Sequence, residues 1–229
     1  MKARTHEMVE TTAIHAMDRM YRWQHAFYDL TRKPYLLGRD RLIAEMAPAD
    51  GSCVLEIGCG TGRNLIVAAH RWPNARFFGY DVSSVMVEHA RNAVRRAGLE
   101  NRIFLTLGDA CTFNPCSSFG VASFERIYFS YVLSMVPSWR AALSEAALLL
   151  NPGASLHIAD FGDQRGMSAP ARALLNKWLS VFHVSPRLDL KLELSTLACK
   201  LGLQDSCQSI YGGYAVVASL KRSLTRSDL

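Results

Sequence analysis

Three glycines at alternate positions constrain this chain more than any other feature. In Val-Leu-Glu-Ile-Gly-Cys-Gly-Thr-Gly-Arg-Asn, residues 54–64, an apolar run passes straight into Gly58, Gly60 and Gly62 and then into a helical pattern. A strand, glycine loop and helix in that order let a ligand approach the backbone closely, because glycine has no Cβ and tolerates positive φ. The spacing also excludes. A dinucleotide fingerprint requires GxGxxG, and Arg63 stands where its last glycine belongs; a P-loop requires a closing Gly-Lys-Ser/Thr, which is absent. The loop therefore suits a ligand that need not carry a pyrophosphate.

Around this loop, short β-rich runs alternate with helical patterns, the signature of a parallel sheet wound by crossover helices. Strands are predicted at 53–57, 76–80, 103–107, 126–129 and 155–159, and helices at 64–72, 83–97 and 138–150, the last stopped by Asn151, Pro152 and Gly153. Helical patterns at 170–183 and 191–201 follow. Two strand-like runs, 205–210 and 214–220, joined at Tyr211-Gly212-Gly213, predict an antiparallel hairpin. Residues 1–50 differ in texture: Met17, Met20, Tyr21, Gln24 and Tyr28 share a helix face, Pro34 and Gly38 redirect the chain, and a short helix is predicted at 39–46. The division is thus 1–50, an N-terminal helical lid or substrate segment, and 51–229, a ligand-binding domain.

Composition narrows the classes. With 49% hydrophobic and 20% charged residues the chain is ordinary globular material, and no apolar stretch reaches the ~18 residues needed to span a bilayer. The first twenty residues lack the apolar core of a signal peptide, so a cytosolic chain is expected. Six cysteines occur in apolar contexts without a CxxC pair, which favours buried, reduced thiols over disulfides or zinc, and no metal is expected. A net charge of +6 predisposes the chain to anionic partners without naming one.

Acidic residues follow the strands. Asp81 closes the second, 25 residues after Glu56, where a carboxylate at a sheet's carboxyl edge accepts hydrogen bonds from ribose hydroxyls, and Asp109 closes the third in the same manner. Three acids on one edge favour a cationic, adenosine-bearing ligand, S-adenosylmethionine. Plainer readings exist: Asp81 caps the helix near Ser83, Glu56 anchors the loop through backbone amides, and the nearby Met86 is helix core.

Val54–Asn64, Asp81 and Leu107–Ala110 together resemble the class I S-adenosylmethionine-dependent methyltransferases over about residues 50–220. The resemblance implies a Rossmann-like, doubly wound α/β sheet of order 3-2-1-4-5-7-6 with an antiparallel last hairpin, S-adenosyl-L-methionine as donor and S-adenosyl-L-homocysteine as product. It implies that Gly58 and Gly60 pass the methionine moiety, that Asp81 holds the ribose, and that Glu56, Gly62 and Asn64 belong to the same cofactor site. Val82 and Met86 would flank the adenine, Asp109 and Ala110 would read its edge, and Ser130 with Tyr131 would border the sulfonium.

Two features bear on the acceptor. The stretch running through and out of the fourth strand, Phe-Glu-Arg-Ile-Tyr-Phe-Ser-Tyr-Val-Leu-Ser-Met, lacks the Asn/Asp-Pro-Pro-aromatic motif of adenine and glutamine amino-methylases. Residues 17–43 interleave aromatic and basic side chains, readable as an amphipathic helix packed on the sheet. They also resemble the N-terminal signature of the BtaB-type methyltransferases of bacterial betaine-lipid synthesis, which trimethylate the amino group of diacylglycerylhomoserine. By that resemblance Tyr21, Arg22, Tyr28, Arg32 and Tyr131 contact substrate, Tyr28 and Tyr131 position the acceptor, and Tyr35 and Arg39 reach the cofactor. Arginine suits the lipid carboxylate through bidentate hydrogen bonds, and tyrosine suits sulfonium and methylated ammonium through cation–π attraction. The implied setting is peripheral, at the inner membrane face, downstream of an enzyme making diacylglycerylhomoserine, with no nucleic acid, as a monomer or a homo-oligomer. The alternatives are a phosphatidylethanolamine or other small-molecule methylase, a nucleic-acid methylase, and a catalytically silent scaffold.

Overall fold

The strand leading into the glycines, β1 (Cys53–Ile57), is buried along its whole length, as a central strand covered on both faces must be. The structure is a computed structural model that describes residues 36–182 and 184–224. Around β1 run β2 (Arg76–Asp81), β3 (Ile103–Leu107), β4 (Phe124–Ser130), β5 (Leu150–Phe161), β6 (Leu203–Ile210) and β7 (Ala215–Arg222). The sheet order is β3-β2-β1-β4-β5-β7-β6, with β7 antiparallel to both neighbours and the other pairs parallel. This is the expected topology, terminal hairpin included.

Helices α1 (Arg39–Met46), α2 (Arg63–Arg71), α3 (Ser84–Arg96), α4 (Pro115–Phe119), α5 (Trp139–Leu148), α6 (Ala169–Val181) and α7 (Leu190–Leu201) cover the sheet. Side chains alternate along each strand, so two cores form. Leu55, Ile57, Phe78 and Phe129 pack with Leu143 of α5 and Leu194 of α7 on one face. Val54, Phe77, Tyr128 and Phe161 pack with Leu42, Ile43 and Met46 of α1, Leu65 of α2 and Leu175 of α6 on the other. Helix α1 thus shares the second core with β1 and α2.

Three expectations are corrected. Asn151, Pro152 and Gly153 lie inside β5, which begins at Leu150, and the pairing with β4 shifts register between Phe124 and Arg126. Helix α4 had no counterpart in the sequence reading. Of the six cysteines, all free, only Cys53 and Cys59 are buried; Cys116 and Cys199 are exposed. Among the described residues no helix is long and apolar enough to cross a membrane, and no group of three or more His, Cys, Asp or Glu could hold a metal ion.

Candidate active site

Backbone bonds from β2 hold the glycine loop: Gly58 N–H and Cys59 N–H both donate to the Tyr80 carbonyl, at 2.9 and 3.0 Å. The three glycines have φ of +69°, +53° and +76°, conformations that other residues adopt only with strain. Their surroundings separate their roles. A Cβ on Gly58 would sit 2.6 Å from the Val132 side chain, and one on Gly62 would sit 3.1 Å from Ala90 Cβ, whereas one on Gly60 meets nothing within 4 Å. Gly58 and Gly62 therefore permit packing, and Gly60 borders open space where a ligand can reach the backbone.

Asp81 ties this loop to the turn that follows β2. One carboxylate oxygen accepts from Gly60 N–H at 2.8 Å and the other from Ser83 N–H at 3.0 Å. The cap of α3 is Ser83, whose hydroxyl accepts from Met86 N–H, and not Asp81. A carboxylate offers about four acceptor sites, so these bonds are compatible with further donors from a ribose.

Glu56 is buried and engaged by side chains rather than by the loop amides: Asn64 donates to one oxygen at 2.9 Å and the Tyr128 hydroxyl to the other at 3.0 Å. Burial pushes its pKa from 4.5 up to about 8; the two donors and the nearby Arg39 charge pull downward, and Asp81 pushes up. Such a carboxyl is poised to ionise when a cation arrives beside it. Arg39, at the start of α1, donates Nε to the Leu36 carbonyl at 3.1 Å, within electrostatic reach of Glu56.

Along the same edge, Asp109 is exposed and accepts from Cys111 N–H at 2.7 Å, with the partly buried Ala110 beside it. Val82 is half-buried and Met86 buried on α3. The Ser130 hydroxyl, at the end of β4, is buried without a hydrogen-bond partner among the described residues. Tyr131 has φ +59°, is 2% exposed, stacks edge-on against Phe161 and donates its hydroxyl to the Leu37 carbonyl at 2.5 Å. That bond fastens the chain entering α1 to the end of β4, and burial raises the phenol pKa, so the hydroxyl stays protonated. Leu175 and Leu179 of α6 are buried while Leu174 is 72% exposed. Tyr21, Arg22, Tyr28, Arg32 and Tyr35 lie outside the described residues.

Sequence reasoning missed Asp160. At the end of β5, it accepts from Ser134 N–H at 3.0 Å and from Phe161 N–H at 2.8 Å, and burial raises its pKa while the Arg187 charge lowers it. Arg187 donates to the Leu133 and Val136 carbonyls, both at 2.8 Å. The loop after β4 is thus clamped from both sides. The signal was present: Ile-Ala-Asp-Phe, 158–161, repeats the acid-after-strand pattern, but the predicted strand stopped at 159.

The residues present suit an S-adenosylmethionine molecule: an open approach at Gly60, a carboxylate at the end of β2, and an unpartnered buried hydroxyl at the end of β4. The comparisons agree. Residues 54–153 match the family described as Methyltransferase domain. An O-methyltransferase of Penicillium expansum is 31% identical over 148 residues, covering 63% of this chain and 51% of that protein. A phosphatidylethanolamine N-methyltransferase of Cereibacter sphaeroides is 29% identical over 188 residues, covering 76% of this chain and 88% of that protein. Among solved structures, a magnesium protoporphyrin IX methyltransferase from Synechocystis with bound S-adenosylhomocysteine superposes with a TM-score of 0.60 at 18% identity, covering 81% of this chain and 82% of that one. The chain spans about half or less of the length of the curated relatives it first matches. Residues 54–153 thus carry a methyltransferase domain, set in a sheet with the strand order of the Rossmann-like methyltransferases.

Proposed function

We propose that this protein uses S-adenosylmethionine to methylate the amino group of a membrane lipid, diacylglycerylhomoserine, three times, giving the trimethylated betaine lipid. The observation that carries the cofactor half is the open face of Gly60 beside Asp81 and Glu56. When bound, S-adenosylmethionine supplies an electrophilic methyl group on a cationic sulfur.

The chain's own residues orient and shield. Gly58 and Gly60 pass the methionine portion, Asn64 and Tyr128 fix Glu56 beneath it, and Arg39 meets its carboxylate. Asp81 takes the ribose hydroxyls, Val82 and Met86 flank the adenine, Asp109 and Ala110 read its edge, and the Ser130 hydroxyl faces the sulfonium side. Tyr131 acts as a positioning residue through its bond to Leu37. Alignment and exclusion of water together supply about 7–11 kcal/mol of the barrier reduction in such displacements. An amine acceptor attacks through its own lone pair once deprotonated. The third methylation removes that lone pair, so the count stops without a counting device.

The basic and aromatic residues 17–43 support a lipid head group with a carboxylate; Tyr21, Arg22, Tyr28 and Arg32 would contact it from there, and Tyr35 would reach the cofactor. Basic charge would also favour an anionic membrane face, at ~1 kcal/mol per well-placed side chain. Phosphatidylethanolamine is the second reading, favoured by the Cereibacter sphaeroides relative. Incubation with labelled S-adenosylmethionine and each lipid, followed by mass analysis, separates them: trimethylated diacylglycerylhomoserine supports the first, label confined to phosphatidylethanolamine supports the second, and label on neither refutes both.

A further inference from the structure

A second polar site lies at the opposite end of the sheet. Strand register puts Arg126 of β4, Ser155 of β5, Lys221 of β7 and Gln204 of β6 side by side in one row. Paired neighbours project from the same face, so two cations flank a serine two strand spacings apart, about 10 Å. His157 stands two residues along β5 on that face, its Nε2 2.9 Å from the Ser155 hydroxyl. This row floors a cavity of about 360 Å³ that the end of α1 and Arg222 help to wall. From Arg126 to Ser130 the strand advances about 13 Å, so the cavity is separate from the glycine loop.

The charges here are unbalanced. Glu45, the one carboxylate in the lining, pairs with Arg41 at 2.7 Å. Glu125, which also acts on Arg126, turns its carboxylate to Cys53 N–H and to Asn151, at 2.7 and 2.5 Å. Arg126 is held by carbonyls, donating to Met46, Glu125 and Ala47 at 2.5, 2.7 and 3.4 Å. Three of its five N–H groups are thereby used and two remain. Lys221 and Arg222 make no side-chain hydrogen bond or ion pair among the described residues. Burial together with the fields of Arg126 and Lys221 pushes His157 down to about 4, so its ring is neutral near pH 7. With the ring proton on Nε2, that N–H donates to Ser155 and leaves the serine O–H to point outward.

We propose that this cavity binds a phosphate group between the Arg126 guanidinium and the Lys221 ammonium, with the Ser155 hydroxyl as the neutral donor. The site is independent of methyl transfer. Phosphate fits because its three or four oxygens accept from a fork, a flexible ammonium and a hydroxyl together. Its source is either a soluble phosphate compound or the phosphate of an anionic lipid.

The test uses the full chain and the variant Lys221→Gln; this side chain lies at the outer end of β7, and unchanged S-adenosylhomocysteine binding reports an intact fold. Arg126 is spared because it also holds the end of α1. Inorganic phosphate is titrated against chloride at matched ionic strength, following thermal midpoint and the His157 ring resonances. Binding to phosphatidylglycerol vesicles is measured against phosphatidylcholine vesicles. Saturable phosphate binding that weakens about tenfold or more in the variant establishes the site with a soluble ligand. Vesicle binding alone, lost in the same variant, establishes it with the lipid phosphate. No binding of either probe, or equal binding by parent and variant, overturns the proposal.

Discussion

Glu56 and His157 show how the same burial acts in opposite directions on an acid and a base. Glu56 has its pKa raised from 4.5 to about 8, so the stability linked to its proton is complete below 4.5 and is lost as pH rises through about 8. His157 has its pKa lowered from 6.5 to about 4, so its neutral form supports the fold above 6.5, and that support is lost as pH falls through about 4. Glu56→Gln should therefore flatten the alkaline side: between about pH 5 and 8.5 the variant loses less stability than the parent, by a difference on the order of a few kcal/mol. Chemical denaturation across that range checks this, and parallel curves would contradict it. At this scale the sequence identified Glu56, Asp81 and the glycines but not their partners. That Ser83 caps α3, or that Tyr128 bonds Glu56, depends on register between strands far apart in the chain, which local spacing does not encode.

The glycine loop, as an element, separates packing from ligand access. Gly60→Ala adds a methyl into open space at φ +53°, costing about 1–2 kcal/mol of strain while placing that methyl where the ligand approaches. Gly58→Ala carries similar strain and also drives its methyl into Val132, about 1–3 kcal/mol more. Gly60→Ala should thus retain most stability and lose cofactor affinity, whereas Gly58→Ala loses both. Thermal unfolding alongside S-adenosylhomocysteine titration distinguishes them, and equal stability losses would count against this division of roles. Long periodic elements such as α3 and β1 were legible within a residue or two. The five-residue α4 was not, although Asn114 caps it and Pro115 opens it, because so short a helix has no periodicity. The start of β5 was misjudged because Pro and Gly signalled a break where a register shift instead keeps the strand paired.

For the whole molecule, the alternation of strands and helices establishes a parallel α/β sheet but not its strand order. The order came from resemblance to a family and agrees with the structure. The acceptor side was the least legible part, since all its candidate residues but Tyr131 fall in 1–35, outside the described residues. Because Leu36 is buried in the core shared with α1, a deletion ending at residue 34, which keeps Tyr35 and Arg39, should leave S-adenosylhomocysteine binding intact while abolishing lipid methylation. Undiminished turnover by the shortened chain would place the acceptor elsewhere.

The most direct measurement is calorimetric titration of the full chain with S-adenosylhomocysteine, for the parent and for Asp81→Ala. One molecule should bind per chain and be displaced by S-adenosylmethionine, with affinity falling tenfold or more in the variant, since charge-assisted hydrogen bonds contribute about 1.5–3 kcal/mol each. Absence of a saturable signal from the parent, or the same affinity in both proteins, would contradict the account.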